Sequence, residues 1–148
     1  MIRWRFATRD DVAAIVALLA DDPLGAGREK VELSPYLAAF EAMQRDAGNH
    51  LIVGEQDGAV VATYQITFIY GLSLNATRRA QVEAVRVAAH LRSQGIGAGL
   101  FADAEARARA EGCGVIQLTS NATRKRAHDF YLGLGFAASH TGFKKQLG

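Results

Sequence analysis

The chain opens on a polarity alternation, Ile2-Arg3-Trp4-Arg5-Phe6, so Ile2 to Phe6 reads as a first strand. The period then changes. Val12, Ile15, Val16 and Leu19 recur at helical spacing, with Thr8 as N-cap and Asp11 three residues on as an acidic variant of the capping box. Asp22-Pro23 and Gly25 to Gly27 end that helix. Ser34-Pro35 has N-cap and N1 chemistry for a second, whose Tyr36, Phe40, Met43 and Ala47 share a face. Leu51 to Glu55 and Val60 to Tyr70 are strands joined across Asp57-Gly58, a hairpin signal. In the second strand Ala62, Tyr64, Ile66 and Phe68 alternate with Thr63, Gln65 and Thr67, which predicts a half-buried antiparallel strand. Gly71 to Arg79 is a polar loop, and Gln81 to Val87 the next strand. Gly95-Ile96-Gly97 leads into a helix from about Ala98 to Glu111, closed by Gly112. Val115 to Thr119 is a buried strand, Thr123 to Leu134 a final helix ended by Gly135, and Phe136 to Lys144 a last strand.

The predicted order is β-α-α-β-β-β-α-β-α-β. A helical crossover between the strands at Gln81 and Val115 makes that pair parallel, while the hairpin strands are antiparallel. The fold class is therefore α/β, a mixed sheet with helices on both faces. The split between the parallel strands is where such a sheet admits a ligand.

A length of 148 residues suits one domain spanning 1–148. The longest apolar stretch, Val12 to Ala20, is shorter than the ~20 residues of a membrane span, and the first residues do not read as a secretory signal. The chain is expected to be cytoplasmic, with no membrane partner, so Asn75-Ala76-Thr77 and Asn121-Ala122-Thr123 are chance glycosylation matches. Cys113, the one cysteine, forms no internal disulfide and no zinc site, and no metal is expected. Net charge is +2 with a pI near 8.9, which an anionic co-substrate explains; the broad basic face with interleaved aromatics that nucleic acid demands is not visible.

The segment Val82-Glu83-Ala84-Val85-Arg86-Val87-Ala88-Ala89-His90-Leu91-Arg92-Ser93-Gln94-Gly95-Ile96-Gly97-Ala98 is a strand, a polar and glycine-rich turn, and a helix start. Unpaired amides and the positive dipole end there suit a pyrophosphate. Glycines at 95 and 97 leave no Cβ between backbone and phosphate; the competing reading is that they only permit a tight turn. A P-loop would need Gly-Lys-Ser/Thr and a dinucleotide fingerprint a glycine at position 100, which is Leu.

Arg92-Ser93-Gln94-Gly95-Ile96-Gly97, preceded by Val85-Arg86-Val87, resembles the Arg/Gln-x-x-Gly-x-Gly/Ala signature of the GCN5-related N-acetyltransferases. Ala127-His128-Asp129-Phe130-Tyr131-Leu132-Gly133-Leu134-Gly135-Phe136 resembles the later motif of that superfamily, and the element order is similar over nearly the whole chain. The resemblance implies acetyl-CoA as co-substrate, its pyrophosphate on main-chain amides of Arg92, Ser93, Gln94, Gly95, Ile96, Gly97 and Ala98, and its pantetheine arm along Val85, Arg86 and Val87. It implies an N-acetyltransferase acting on a primary amine, a small molecule before a protein, by direct attack in a ternary complex.

An alkyl ammonium must lose a proton before it attacks, which costs roughly 4–5 kcal/mol at neutral pH. Glu83, mid-strand, is the candidate general base; the alternative is a structural carboxylate paired with Arg78 or Arg79. Tyr131 is the candidate acid for the departing CoA sulfur, or else packs Gly135-Phe136 against the sheet. Asn121 follows a strand end and is a candidate pantetheine contact, although it stands ten residues before Tyr131 where the family's Asn stands seven. Arg124-Lys125-Arg126 is either a contact for the CoA 3′-phosphate or a solvated helix start. His50, His90, His128 and His140 show no metal-like or triad-like spacing.

For the acceptor, Asp21, Asp22, Glu29 and Glu32 in the first inter-helix segment suit a cationic amine, while Arg78 and Arg79 suit a carboxylate or phosphonate. The alternative class is a catalytically silent CoA-binding sensor or regulatory module that keeps the turn and dispenses with Glu83 and Tyr131. A homodimer is open, since no segment marks an interface.

Overall fold

The Asp57-Gly58 turn sets the first register. Both residues have positive φ, 50° and 81°, the geometry whose twist matches two paired strands. In the computed structural model, which describes residues 1–21 and 32–148, this turn joins β2 (Asn49–Gln56) to β3 (Ala59–Ile69). β1 (Arg3–Phe6) adds antiparallel to β2, and β4 (Arg79–Val87) antiparallel to β3. β5 (Val115–Leu118) then pairs with β4 in parallel, giving a five-stranded mixed sheet in chain order.

Helices cover both faces. α1 (Val12–Ala20) and α2 (Ser34–Arg45) lie on one, where Val12, Ile15, Val16 and Phe40 pack with Val53. A short helical segment, α3 (Ser73–Ala76), precedes β4 and contains left-handed residues at 74 to 76. α4 (Ile96–Ala110) crosses the other face, and its Leu100, Phe101, Ala104 and Ala108 pack against Ala62, Tyr64, Ile66 and Phe68 of β3. α5 (Lys125–Gly133) follows β5. Among the described residues no helix is long and apolar enough to cross a membrane.

Three expectations are corrected. β3 keeps the expected alternation at Gln65 and Thr67, which are partly exposed, but Thr63, on the same polar face, is 1% exposed, because α1 and α2 cover that part of the face. Its hydroxyl is satisfied by donating to the Ile52 carbonyl at 2.9 Å. The strand expected over Phe136 to Lys144 does not form, and residues 137–148 are exposed, so β5 is the sheet edge. Its apolar positions are few and interrupted by Gly142 and Lys144-Lys145, and Phe143 stays 93% exposed, so no buried face offsets the entropy of ordering it. Finally, Leu33 occupies the N-cap position of α2 and accepts from the Leu37 amide, which puts Ser34 inside the first turn. The expected breaker, Asp22-Pro23 with Gly25 to Gly27, lies outside the described residues.

Asp11 anchors the entry to α1. Its carboxylate accepts from both Arg5 guanidinium nitrogens at 2.7 and 3.0 Å and from the Thr8 amide at 2.7 Å. The Arg5 hydrogen bonds, opposed by desolvation and aided by Thr8, hold the carboxyl below its ordinary value. A depressed folded-state value contributes stability above the unfolded pKa of about 3.9 and loses it as pH falls through the folded value. Asp11→Asn is expected to cost about 1–3 kcal/mol at neutral pH, and the gap to wild type should close in acid. Urea unfolding at pH 7 and near pH 3 checks this; an equal gap at both would remove the charge from the explanation.

Candidate active site

The site is built on a defect in β4. Thr63 pairs with Arg86 and Gln65 with Glu83, so Tyr64 alone faces both Ala84 and Val85. Ala84 takes the left-handed φ of 53° that this bulge requires. On its other edge β4 pairs with β5 only from Arg79 to Val82, opposite Val115 to Leu118. Past Val82 the two parallel strands separate, and Glu83 to Val87 have no strand partner on that side among the described residues. The Val85 carbonyl accepts from Arg86 Nη1 at 2.9 Å and the Val87 carbonyl from Arg92 Nε at 3.2 Å.

The turn that follows is fixed at both ends. The Ala88 amide donates to the Val61 carbonyl at 2.8 Å, and Ala89–Leu91 form a single 3-10 turn. Ser93 and Gly95 then take positive φ, 66° and 80°, and α4 begins at Ile96. The first amide of α4 with a partner is Gly99, to the Gly95 carbonyl. The six amides from Ser93 to Ala98 therefore have no acceptor among the described residues, an array of donors at a helix start suited to an anion. Side chains brace this turn from outside: Arg92 Nη2 reaches the Asp21 carbonyl at 3.4 Å and Gln94 Nε2 the His90 carbonyl at 3.2 Å.

The two glycines differ in role. A Cβ at Gly95 would meet nothing within 4 Å, so this position needs glycine for its φ. A Cβ at Gly97 would lie 3.1 Å from the Phe130 ring. Glycine at 97 thus also lets α5 pack on α4.

Glu83 stands directly opposite Gln65, so both side chains lie on the α1–α2 face of the sheet. It is exposed and makes no hydrogen bond or ion pair among the described residues. The partnership with Arg78 or Arg79 does not form. Arg78 is held 2.8 Å from a Glu111 carboxylate oxygen and lies 4.2 Å over the Tyr70 ring, while Arg79 Nη1 reaches Gln117 Oε1 at 3.5 Å.

Tyr131 approaches from the α4 side, its ring packed edge-on to Phe101 and Phe136. Burial raises its phenol above the ordinary value, opposed by Arg124 and Arg86, so the hydroxyl stays protonated at neutral pH. That hydroxyl makes no hydrogen bond among the described residues. Packing and a free donor coexist in one side chain.

Asn121 is committed locally. Its Oδ1 accepts from the Thr123 amide at 3.0 Å and hydroxyl at 2.7 Å, and its carbonyl meets His128 Nε2 at 3.1 Å; both contacts shape the loop before α5. Arg124, Lys125 and Arg126 are exposed at that helix start. Ser120, one residue earlier, was not foreseen. Its buried hydroxyl has no partner in the described structure, beside the point where β5 leaves β4, and a lone Ser before Asn121 carries no signal in sequence. Of the four acidic candidates for the acceptor amine, Asp22 and Glu29 lie outside the described residues.

A cavity of about 150 Å³ opens between α1, α2 and the sheet. Ala84 and Gln65 line it, so it adjoins the bulge on the face that carries Glu83.

Comparison with known proteins places this arrangement. The profile of the acetyltransferase (GNAT) family matches residues 12–136. An aminoalkylphosphonate N-acetyltransferase of Salmonella typhimurium is 29% identical over 143 residues, which cover 97% of this chain and 90% of that protein. Among solved structures, a protein from Bacillus halodurans named as a transcriptional regulator is 39% identical, with a TM-score of 0.95 over 99% of this chain and 100% of that one. An acetyltransferase from Clostridium acetobutylicum solved with acetyl-CoA shares the fold at 18% identity, with a TM-score of 0.77 over 99% and 97% of the two chains. The chain belongs to the acetyltransferase (GNAT) family, and its enzyme class is that of the acetyl-CoA-dependent N-acetyltransferases.

Proposed function

We propose that the protein transfers the acetyl group of acetyl-CoA directly to the primary amine of a small molecule, within one domain spanning 1–148, with Glu83 as general base and Tyr131 as general acid. The observation that carries this reading is the run of six unpartnered amides from Ser93 to Ala98, set beside a strand edge left open by the Ala84 bulge. The amides suit the CoA pyrophosphate. The open edge at Val85, Arg86 and Val87 suits the amide-bearing pantetheine arm, which would pair there as a strand does. In this pose Ser120 and Asn121 border the arm from the β5 side, with the Asn121 amide nitrogen as the donor left over from its local contacts.

The chemistry follows from the groups on each side of the split. The substrate ammonium loses a proton to the Glu83 carboxylate, directly or through water, and the neutral amine attacks the thioester carbonyl. The new C–N bond forms, the C–S bond breaks, the sulfur leaves with a proton from the Tyr131 hydroxyl, and the second proton shed by the now cationic nitrogen passes through water to restore the Tyr131 phenol. An exposed carboxylate without a partner is free to accept that proton, and a phenol kept neutral by burial is free to give one. The curated relative, which acts on an aminoalkylphosphonate, supports a small amine over a protein as acceptor.

A second reading has one observation in its favour, the regulator name carried by the 39% identical relative. In that reading the same turn binds CoA without turnover. Steady release of CoA thiol in the presence of amine separates the two, since a sensor releases none.

Acetyl-CoA at 100 times its dissociation constant is expected to stabilise the protein by ~2.7 kcal/mol. Thermal melts across an acetyl-CoA titration check this, and a flat response would remove the turn from the proposal.

Glu83→Gln keeps shape and removes basicity. The rate should fall most at neutral pH and recover as pH approaches that of the free amine, about 10.4. A profile parallel to wild type would return Glu83 to a passive role.

Tyr131→Phe keeps the ring contacts and removes one hydroxyl. The kcat should fall by roughly 10²–10⁴-fold with little change in acceptor KM. A thioester with a more acidic thiol should narrow that gap, because it needs less help in leaving. A lowered melting temperature with intact kcat would mean that packing is its whole contribution.

A further inference from the structure

Resting on the acetyl-transfer reading, we propose that the acceptor amine carries an uncharged apolar group of phenyl or branched-butyl size, seated in the cavity between α1 and α2. The relative's aminoalkylphosphonate is an anionic acceptor, so this assigns a different substrate class to this chain.

Size is the first argument. The cavity holds about 150 Å³, and a cavity of about 150 Å³ lined by Leu, Ile and Phe binds benzene. The lining is the second. Ile15, Val16 and Leu19 come from α1, Phe40 and Met43 from α2, and Ala84 from the bulge. Two polar neighbours in the sheet are already engaged. The Thr63 hydroxyl donates to the Ile52 carbonyl, leaving its methyl for a ligand, and the Gln65 amide donates to Asn49 Oδ1 at 2.9 Å. Among the described residues no charged side chain lines the space, and Tyr36 adds only an uncharged phenol hydroxyl, so a phosphonate there would lose its hydration with no cation to replace it.

Neither cation that sequence offered to an anionic acceptor lines the cavity. Arg78 is bound to Glu111 and stacked on Tyr70, and Arg79 reaches Gln117 at the far end of β4. Position is the last argument. Gln65 lines the cavity and faces Glu83 across the strand pair, and Ala84 lines it one residue further along. An apolar group inside the cavity therefore holds an attached aminomethyl or aminoethyl arm on the face where Glu83 stands. The catalytic carboxylate and the apolar seat belong to one surface.

The test compares kcat/KM for benzylamine, 2-phenylethylamine and isoamylamine with ethylamine and aminomethylphosphonate, using the full chain and acetyl-CoA. At least one apolar amine is expected to exceed ethylamine by about tenfold or more, since one methylene in an apolar pocket is worth roughly 10–200-fold, and to exceed the phosphonate by more. Ala39 lies exposed on α2 and lines the cavity, so Ala39→Leu fills it with little disturbance to the core. That variant should collapse the apolar-to-ethylamine ratio while keeping the acetyl-CoA thermal shift. Turnover of aminomethylphosphonate with no apolar preference, or a ratio unmoved by Ala39→Leu, overturns the inference and leaves acetyl transfer standing. Should no amine be acetylated, acetyl transfer is overturned instead, and the cavity is judged by binding alone. Toluene followed by NMR should then bind wild type and not Ala39→Leu; no binding to wild type overturns it.

Discussion

A strand cannot hydrogen-bond a neighbour on both edges and also offer one edge to a ligand, and β4 resolves that conflict with one left-handed residue. Ala84 at φ 53° puts two β4 residues opposite Tyr64, and β5 stays paired only as far as Val82. The backbone groups beyond that point lose a ladder that would otherwise have satisfied them. A non-glycine residue in this conformation persists only where its surroundings over-determine it. Here the surroundings are β3 on one edge and, on the face opposite, the buried Tyr64. The bulge and the open edge begin at the same point of β4, and the amide turn follows directly beyond them.

The over-determination can be traced to one side chain. Tyr64, opposite the bulge, is fully buried, and its hydroxyl donates to Asp103 on α4 at 2.5 Å. Arg107, one turn along α4, holds the same carboxylate at 2.8 Å and extends to the Trp4 carbonyl at 3.4 Å. α4 is thereby tied to the strand that carries the defect, and α4 begins in the unpartnered amides. Burial, then the hydrogen bond to Asp103, pushes the Tyr64 phenol far above its ordinary range, so this tie does not titrate where an amine acetyltransferase works.

What was legible in sequence was what short-range chemistry determines. The Asp57-Gly58 turn, the Thr8–Asp11 cap and the apolar stripe of α1 each depend on residues within one or two turns of themselves. The bulge left no such mark, because Ala84 is neither glycine nor asparagine and its φ is imposed by pairing. The covered polar face of β3 was misread for a related reason: alternation reports side-chain polarity, while Thr63 is buried by helices distant in sequence. The packing of Phe130 on Gly97 was likewise invisible, because Phe130 is brought to it only when α5 docks. The Phe136 to Lys144 stretch shows the reverse error, an extended pattern for which the fold supplies no buried face.

The two sides of the sheet are also held with different firmness, and the difference matches what each side is asked to do. α4 buries Leu100, Phe101, Ala104 and Ala108 in the main core, so the turn at its start is firmly held. α2 buries Phe40 alone among its residues and borders the cavity with Tyr36, Ala39 and Met43. A helix anchored by one buried side chain can shift or be resurfaced at small cost to the sheet. The turn before α4 presents main-chain amides, whereas the α1–α2 face presents side chains. A relative at 39% identity overlays with a TM-score of 0.95, so the backbone that forms the turn is kept while most side chains differ.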